Sequence, residues 1–268
     1  SIVVPLYNEA ESLPELSHWI DKVIVSSNLK YELIFIDDGS KDNSWEVINN
    51  LQSKNKNIKI SISDAYKIQS ILTDLRIKRG EKVIGYKIGS ISKQTQKKYG
   101  FSHPAWGRLW ESELHSNGIK LNKENYSNPA MEAEFGIRFN RDLHPKEVSF
   151  EYILASIDTI HPIIEIHNLI FYGDKPYGAE HISNNAINAG VVCGLGIDKP
   201  KFGEITDLKL IYDKIIIDKW TNKIWPTDML SAVEWFVMEQ AKMNNQIKKG
   251  DLILTGAYGC LLYTSPSP

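Results

Sequence analysis

Cysteine is scarce: only Cys193 and Cys260 occur in 268 residues. Two are too few for a disulfide framework, and their spacing is not that of a metal-ligand set. Long apolar runs are missing too, the uninterrupted stretches being no longer than a few residues, as in Ile2-Val3-Val4. A membrane-spanning helix needs about 18 or more, so no membrane partner is expected. Charge of one sign is also lacking. Lys+Arg number 31 against 33 Asp+Glu, a net charge of -2, which provides no field to draw nucleic acid or an anionic lipid surface. Gly194-Leu195-Gly196 has no third glycine of a dinucleotide fingerprint, and no phosphate-loop pattern occurs. The opening Ser1-Ile2-Val3-Val4-Pro5 has neither a basic segment nor a cleavage site, so it is not read as a signal peptide, and the expected compartment is the cytoplasm. It starts inside a strand-like run without methionine, as a fragment would. The remaining composition is ordinary, with 42% apolar and 24% charged residues, which excludes wholesale disorder.

Periodicity divides the chain near residue 60. Before it, Ile2 to Leu6 reads as a buried strand. Leu16, Trp19, Ile20, Val23 and Ile24 follow at helical spacing, Leu33 to Ile36 is a second strand, and Trp45, Ile48 and Leu51 line a second helix. Ile58 to Ile60 is expected as a third strand. Strand–helix repetition of this kind implies a parallel sheet. Residues 61–259 follow another pattern. Ser63 is expected to cap a helix with apolar face Ala65, Ile68, Ile71, Leu72 and Leu75, closed by Gly80. Strands are expected at Val83 to Ile88, around Met131 to Ile137, and at Ile160 to Ile166, Val191 to Leu195, Leu208 to Ile217 and Leu252 to Thr255. Helices are expected at Phe150 to Ile157 and near Asp228 to Met243. Residues 260–268 abandon both periods and end Ser265-Pro266-Ser267-Pro268, so they read as a tail foreign to the fold.

Ser1 to Glu9, followed by Tyr31-Glu32-Leu33-Ile34-Phe35-Ile36-Asp37-Asp38-Gly39-Ser40-Lys41-Asp42, resembles the start of family 2 glycosyltransferases. The resemblance implies a partial GT-A-like α/β nucleotide-binding half-domain over residues 1–60, in which Glu9, Asp37 and Asp38 would meet a nucleotide at the strand ends. The family's Asp-x-Asp metal motif, acceptor region and base do not follow. Asp37-Asp38-Gly39 therefore reads equally as a strand-ending turn, and an unpaired strand edge would favour self-association into a homo-oligomer.

The second group of acids lies further on. Glu132 and Glu134 are two apart on an expected strand and so project from one face, while Met131, Ala133, Phe135 and Ile137 take the other. Glu165 interrupts the apolar run His161-Pro162-Ile163-Ile164-Glu165-Ile166. A lone buried carboxylate costs several kcal/mol (roughly) and needs a compensating charge. Three converging carboxylates suit a hard cation, Mg2+ or Mn2+. The plainer readings are a solvated strand face for Glu132 and Glu134, and a buried salt bridge to an arginine for Glu165.

Residues 63 to about 259 resemble the 2-keto-4-pentenoate hydratase branch of the fumarylacetoacetate hydrolase superfamily. The resemblance is carried by Asp64-Ala65-Tyr66-Lys67-Ile68-Gln69, Gly85-Tyr86-Lys87-Ile88-Gly89, Gly107-Arg108-Leu109, Met131-Glu132-Ala133-Glu134-Phe135, His161 to Ile166, Asn185-Ala186 and Gly250 to Ala257, in family order. It implies an α+β fold, a mixed β-roll core with peripheral helices, and Glu132, Glu134 and Glu165 as ligands of Mg2+ or Mn2+. Lys87, between glycines that permit close backbone approach, would bind an oxygen of the substrate, with a snorkelling surface lysine as the alternative. Thr255 would bind the substrate carboxylate, or else is an ordinary strand threonine. The implied substrate is a small 2-oxo or 2-hydroxy acid such as 2-hydroxypenta-2,4-dienoate, and the implied reaction is hydration. Decarboxylation of a 2-oxo-enedioate and hydrolysis of an acylpyruvate stay open within the superfamily, and an inactive fusion product or a transferase fragment outside it. Two departures bear on this. Ala105 stands where many hydratases carry an acid, and Asn184-Asn185 replaces Asp-Asn. His103 and His161 are the candidates for the water-activating base.

Overall fold

The computed structural model describes residues 2–27, 31–52, 60–170, 178–257 and 262–263. The chain divides into two compact units, Ser1–Ser61 and Ile62–Pro268.

The first unit contains β1 (Ile2–Leu6), α1 (Leu13–Ser26), β2 (Leu33–Asp37) and α2 (Ser44–Gln52). β1 and β2 pair in parallel, with Leu6 opposite Asp37. Leu6, Leu13 and Ile48 form its small core. This is the expected α/β arrangement. Most of the expected strand at Ile58 to Ile60 lies outside the described residues, and Ile60 itself is not in a strand.

The second unit runs α3 (Ile62–Lys78), β3 (Val83–Gly89), α4 (Lys93–Tyr99), β4 (Ala105–Trp110), β5 (Leu114–Ser116), β6 (Pro129–Phe139), α5 (Phe150–Ser156), β7 (Ile157–Asn168), α6 (Gly178–Ser183), β8 (Asn188–Cys193), β9 (Ile197–Asp198), β10 (Ile205–Tyr212), β11 (Ile215–Ile224), α7 (Thr227–Lys242), β12 (Leu252–Leu254) and β13 (Leu262–Tyr263). Among the described residues nine strands form one mixed sheet, ordered β4-β3-β12-β6-β7-β8-β5, with β13 on β6 and β9 on β7. β12 runs parallel to β3 and antiparallel to β6. This is the expected α+β class, a mixed sheet with helices at its periphery. Trp106, Phe135, Ile137, Phe139, Trp225 and Phe236 belong to the main core. Tyr66 stacks on Trp106 with ring centroids 5.1 Å apart, which anchors α3 to β4. Among the described residues no helix is long and apolar enough to cross a membrane.

Several local expectations are corrected. α3 begins at Ile62, so Ser63 lies within its first turn and is not its cap. Its buried face is Ala65, Ile68, Gln69 and Thr73, and Ile71 is exposed. The polar Gln69 is buried because its amide bonds to the Trp106 and Ile182 carbonyls at 3.1 and 3.0 Å. The single strand expected at Leu208 to Ile217 is a hairpin. Asp213 and Lys214 have φ of 48° and 66°, the left-handed pair that a two-residue turn between twisted strands requires. Leu262–Tyr263 of the tail pair with Ala130 and Met131, and the remainder of 258–268 lies outside the described residues. The strand at Ala105–Trp110 had no counterpart in the periodicity.

Candidate metal centre

Strand register builds the site. Glu132 on β6 sits directly opposite Glu165 on β7, and cross-strand partners face the same side of a sheet. Glu134 and His167 lie two residues along from them, so the period of two puts all four side chains on one face. The third strand of the site is brought in by Gly85. A β-carbon there would stand 2.0 Å from the Leu252 carbonyl oxygen. Only glycine allows that approach, through which β3 pairs with β12 and sets Lys87 beside Leu254.

The side chains converge in the interior. Lys87 is 3% exposed and Glu165 0%, and Lys87 Nζ lies 3.2 Å from Glu165 Oε1. Asn188 Nδ2 donates to that same oxygen at 2.8 Å. His167, also 3% exposed, places Nε2 3.1 Å from Glu165 Oε2 and 3.7 Å from Glu132 Oε2. Neither contact meets hydrogen-bond geometry, and Glu165 Oε2 and both His167 ring nitrogens have no hydrogen-bond partner among the described residues. Glu134 accepts one bond, from the Gly256 N–H to Oε2 at 2.9 Å, while its buried Oε1 has none. Gly256 has φ of 90°, a left-handed conformation natural to glycine, and it is what aims that N–H at the carboxylate. Glu132 is the most open of the group, its side chain 18% exposed.

Burial and charge split the acids. Burial by itself would raise Glu165, but His167 and Lys87 outweigh it and hold that carboxyl at about 2. Burial pushes Glu134 well above the usual carboxylate range, and the neighbouring Glu165 and Glu132 push the same way. Burial raises Glu132 too, with His167 opposing. Lys87 stays firmly charged, because the three carboxylates more than offset its burial. His181 on α6 is held neutral down to about 4, by burial first and then by the charges of Lys87 and His167.

The donor set fits a divalent cation. Glu132, Glu165 and His167 each offer one ligand atom within 4.8 Å of the others. The buried oxygens Glu134 Oε1 and Glu165 Oε2 have no hydrogen-bond partner among the described residues and would each cost about 1–3 kcal/mol if nothing met them, and a cation held by Glu132, Glu165 and His167 would meet the second.

The remaining residues singled out in the sequence are placed as follows. Thr255 is fully buried and its hydroxyl donates to the Phe135 carbonyl at 3.1 Å. His103 holds Nδ1 against the Pro104 carbonyl at 2.7 Å and stacks on Trp235. His161 bridges Thr159 Oγ1 and the Gly194 carbonyl at 3.0 Å each. Among the described residues, no hydrogen bond or ion pair joins either histidine to the acids. His167 was missed, although a histidine two residues beyond Glu165 on an apolar strand carried the signal. So was the turn Asn185-Ala186-Ile187, with consecutive φ of 52°, 51° and 61°. Left-handed backbone at non-glycine residues costs about 1–3 kcal/mol each. Asn185 holds the turn, its side-chain amide bonding the Arg108 N–H and carbonyl at 2.7 and 2.8 Å. The Ala186 carbonyl thereby meets Lys87 Nζ at 3.2 Å.

In the first unit, Asp37 Oδ1 accepts from the Ser40 N–H at 2.9 Å and from its hydroxyl at 2.5 Å. The Glu9 carboxylate accepts from the Ser12 hydroxyl, and the Glu9 N–H donates to Ser44 Oγ at 2.7 Å. Asp38 follows β2 at the strand end. Asp37 thus ends β2, Asp38 follows it, and Glu9 lies three residues past the end of β1.

Comparison with known proteins follows the same division. Residues 1–65 match the family described as glycosyl transferase family 2. A 2-keto-4-pentenoate hydratase of Paraburkholderia xenovorans (strain LB400) is 25% identical over 209 residues, 77% of this chain and 78% of that protein. Another, from Burkholderia vietnamiensis (strain G4), is 28% identical over 207 residues, 73% of this chain and 75% of its own length. Among solved structures, 4-oxalocrotonate decarboxylase from Pseudomonas putida G7, complexed with magnesium and adipate, superposes with a TM-score of 0.69 at 19% identity, covering 82% of each chain. The chain is therefore similar in sequence to the 2-keto-4-pentenoate hydratases and shares, over most of its length, the fold of a 4-oxalocrotonate decarboxylase.

Proposed function

We propose that the second unit is a divalent-metal-dependent lyase that adds water to a short 2-hydroxy-dienoate or 2-oxo-enoate such as 2-hydroxypenta-2,4-dienoate. The observation that carries this is the placement of Glu132, Glu134 and Glu165 on one sheet face around a charged Lys87, in a chain whose sequence relatives include hydratases. Glu132, Glu134 and Glu165 would hold Mg2+ or Mn2+. When bound, such an ion supplies Lewis acidity toward the C1 carboxylate and C2 oxygen of the substrate.

The chain's own groups do the rest. Lys87, kept protonated by the acids, donates to the C2 oxygen as negative charge builds there, an electrostatic role in a water-poor site. Glu165 holds Lys87 in place and the Ala186 carbonyl fixes its direction. Thr255 would bind the substrate carboxylate in place of its present bond to the Phe135 carbonyl. In the reaction the C2 hydroxyl gives up its proton and C5 gains one. Water then adds its oxygen to C4 and a hydrogen to C3. Glu9, Asp37 and Asp38 have no part in this chemistry.

A second reading, decarboxylation of a 2-oxo-enedioate by the same enolate stabilisation, is favoured by one feature. Ala105, buried on β4, leaves no acid where hydratases place one, and loss of CO2 needs no water-activating base. The purified chain with Mg2+ should consume 2-hydroxypenta-2,4-dienoate, read as lost ultraviolet absorbance. Persistent absorbance with CO2 released from 2-oxohex-3-enedioate would select the decarboxylase. Turnover of neither substrate would refute both. Binding of a uridine nucleotide sugar in a calorimetric titration would restore a transferase role to residues 1–60, and its absence would retire it.

A further inference from the structure

We propose that His167 is a ligand of the divalent-ion site, making it a mixed carboxylate–imidazole centre that prefers later first-row ions such as Co2+ over Mg2+. The inference rests on the metal-site reading above and goes beyond its all-oxygen ligand set. The geometry is specific. His167 shares the face of β7 with Glu165, and Glu165 is the cross-strand partner of Glu132. Its Nε2 lies 3.1 Å from one carboxylate and 3.7 Å from the other, and all three ligand atoms lie within 4.8 Å of one another.

The side chain is 3% exposed, and neither ring nitrogen has a hydrogen-bond partner among the described residues. Its Nε2 faces the two carboxylates without meeting hydrogen-bond geometry, and burial without such a bond is costly. A cation between His167, Glu132 and Glu165 would satisfy Nε2 and Glu165 Oε2 together. Imidazole nitrogen is a softer donor than carboxylate, and its presence shifts affinity along the series toward Co2+ and Zn2+. The competing role is that His167 is itself a protonated counter-ion for the two glutamates, standing where a metal would.

Pulsed electron paramagnetic resonance of the Mn2+-loaded chain separates these roles. A directly bound imidazole gives nitrogen-14 modulation of the Mn2+ echo. We expect that modulation in the wild type and its loss in His167→Gln. In parallel titrations the variant should lose about tenfold or more in Co2+ affinity and far less in Mg2+ affinity. Mn2+ bound without nitrogen modulation overturns this inference and leaves the carboxylate site standing. Tighter binding of every divalent ion by His167→Gln overturns it in favour of the counter-ion role. No Mn2+ bound by the wild type removes the metal-site reading itself. Should His167→Gln fail to fold, the wild-type spectrum alone decides.

Discussion

Replacing Lys87 by Met separates a catalytic ammonium from a merely structural one. The substitution keeps the length of the stem and removes the charge. Lys87 Nζ lies 3.2 Å from Glu165 Oε1 with both groups nearly dry, and breaking a buried pair by deleting one partner typically costs about 3–5 kcal/mol. Here the loss should be smaller, on the order of 1–3 kcal/mol, because Glu165 keeps Asn188 at 2.8 Å and His167 at 3.1 Å. For a domain of this size that is a fall in Tm of about 3–10 °C. The chemistry should suffer more. Removing one donor aimed at a developing oxyanion lowers kcat by about 10²–10³-fold. Metal binding should move the opposite way. The ammonium repels a divalent ion, and its removal is worth on the order of 1–2 kcal/mol even at a high effective dielectric, about tenfold tighter binding. The assay is paired: ultraviolet turnover of the dienoate with saturating Mg2+, and a calorimetric Mn2+ titration of the same preparation. Unchanged kcat in Lys87→Met would refute the oxyanion role. Lost metal uptake in a variant that still folds cooperatively would show that Lys87 shapes the site instead of opposing its cation.

Three further outcomes are expected. Burial pushes the Glu134 carboxyl well above its usual range, so at any pH below that raised value metal uptake should release a proton and affinity should rise about tenfold per pH unit; titrations in buffers of different ionisation enthalpy would reveal the proton, and equal apparent heats would contradict it. Burial raises the Asp251 carboxyl from 3.8 to about 6, so the folded chain keeps a proton that the unfolded chain sheds, and the stability from this group, full below about pH 4, is lost as pH rises through 6. Asp251→Asn should therefore be more stable than the parent by about 1 kcal/mol at pH 8, after allowance for solvent screening, with no difference at pH 3.5 in denaturant melts; a gain at the acid end instead would reverse the argument. Asn185→Ala removes both bonds that hold the left-handed turn and should lower kcat at least tenfold by releasing the Ala186 carbonyl from Lys87, while Mn2+ affinity stays within about threefold; matched losses of both would point to general unfolding.

Much of the site could be read from strand parity. Glu132 and Glu134 share a face because strands have a period of two, and Glu165 stood out because an acid in an apolar run demands a partner. The same rule applied to His167 would have found it, yet a histidine near a strand end looks like core packing until its neighbours are known. Other features depend on tertiary context. Ala186 and Ile187 have no local preference for positive φ, and the turn exists because Asn185 pairs with the backbone of β4. His181 acquires its environment from α6 packing near Lys87. The hairpin at Ile205 to Ile224 was read as one strand because isoleucines continue on both sides of Asp213-Lys214, where neither residue is glycine or asparagine. Ala105–Trp110 escaped notice because Gly107 and Arg108 interrupt its apolar pattern, and the strand is secured instead by Asn185 and by the stack of Tyr66 on Trp106.

In the proposed site, acids from two neighbouring strands share one divalent ion. A calorimetric titration of Mn2+ into the wild type and into Glu165→Gln, with circular dichroism melts to show that both fold, tests it most directly. One ion per chain is expected to bind the wild type, with no measurable uptake by the variant; no binding to either protein, or equal binding to both, would refute a shared ion.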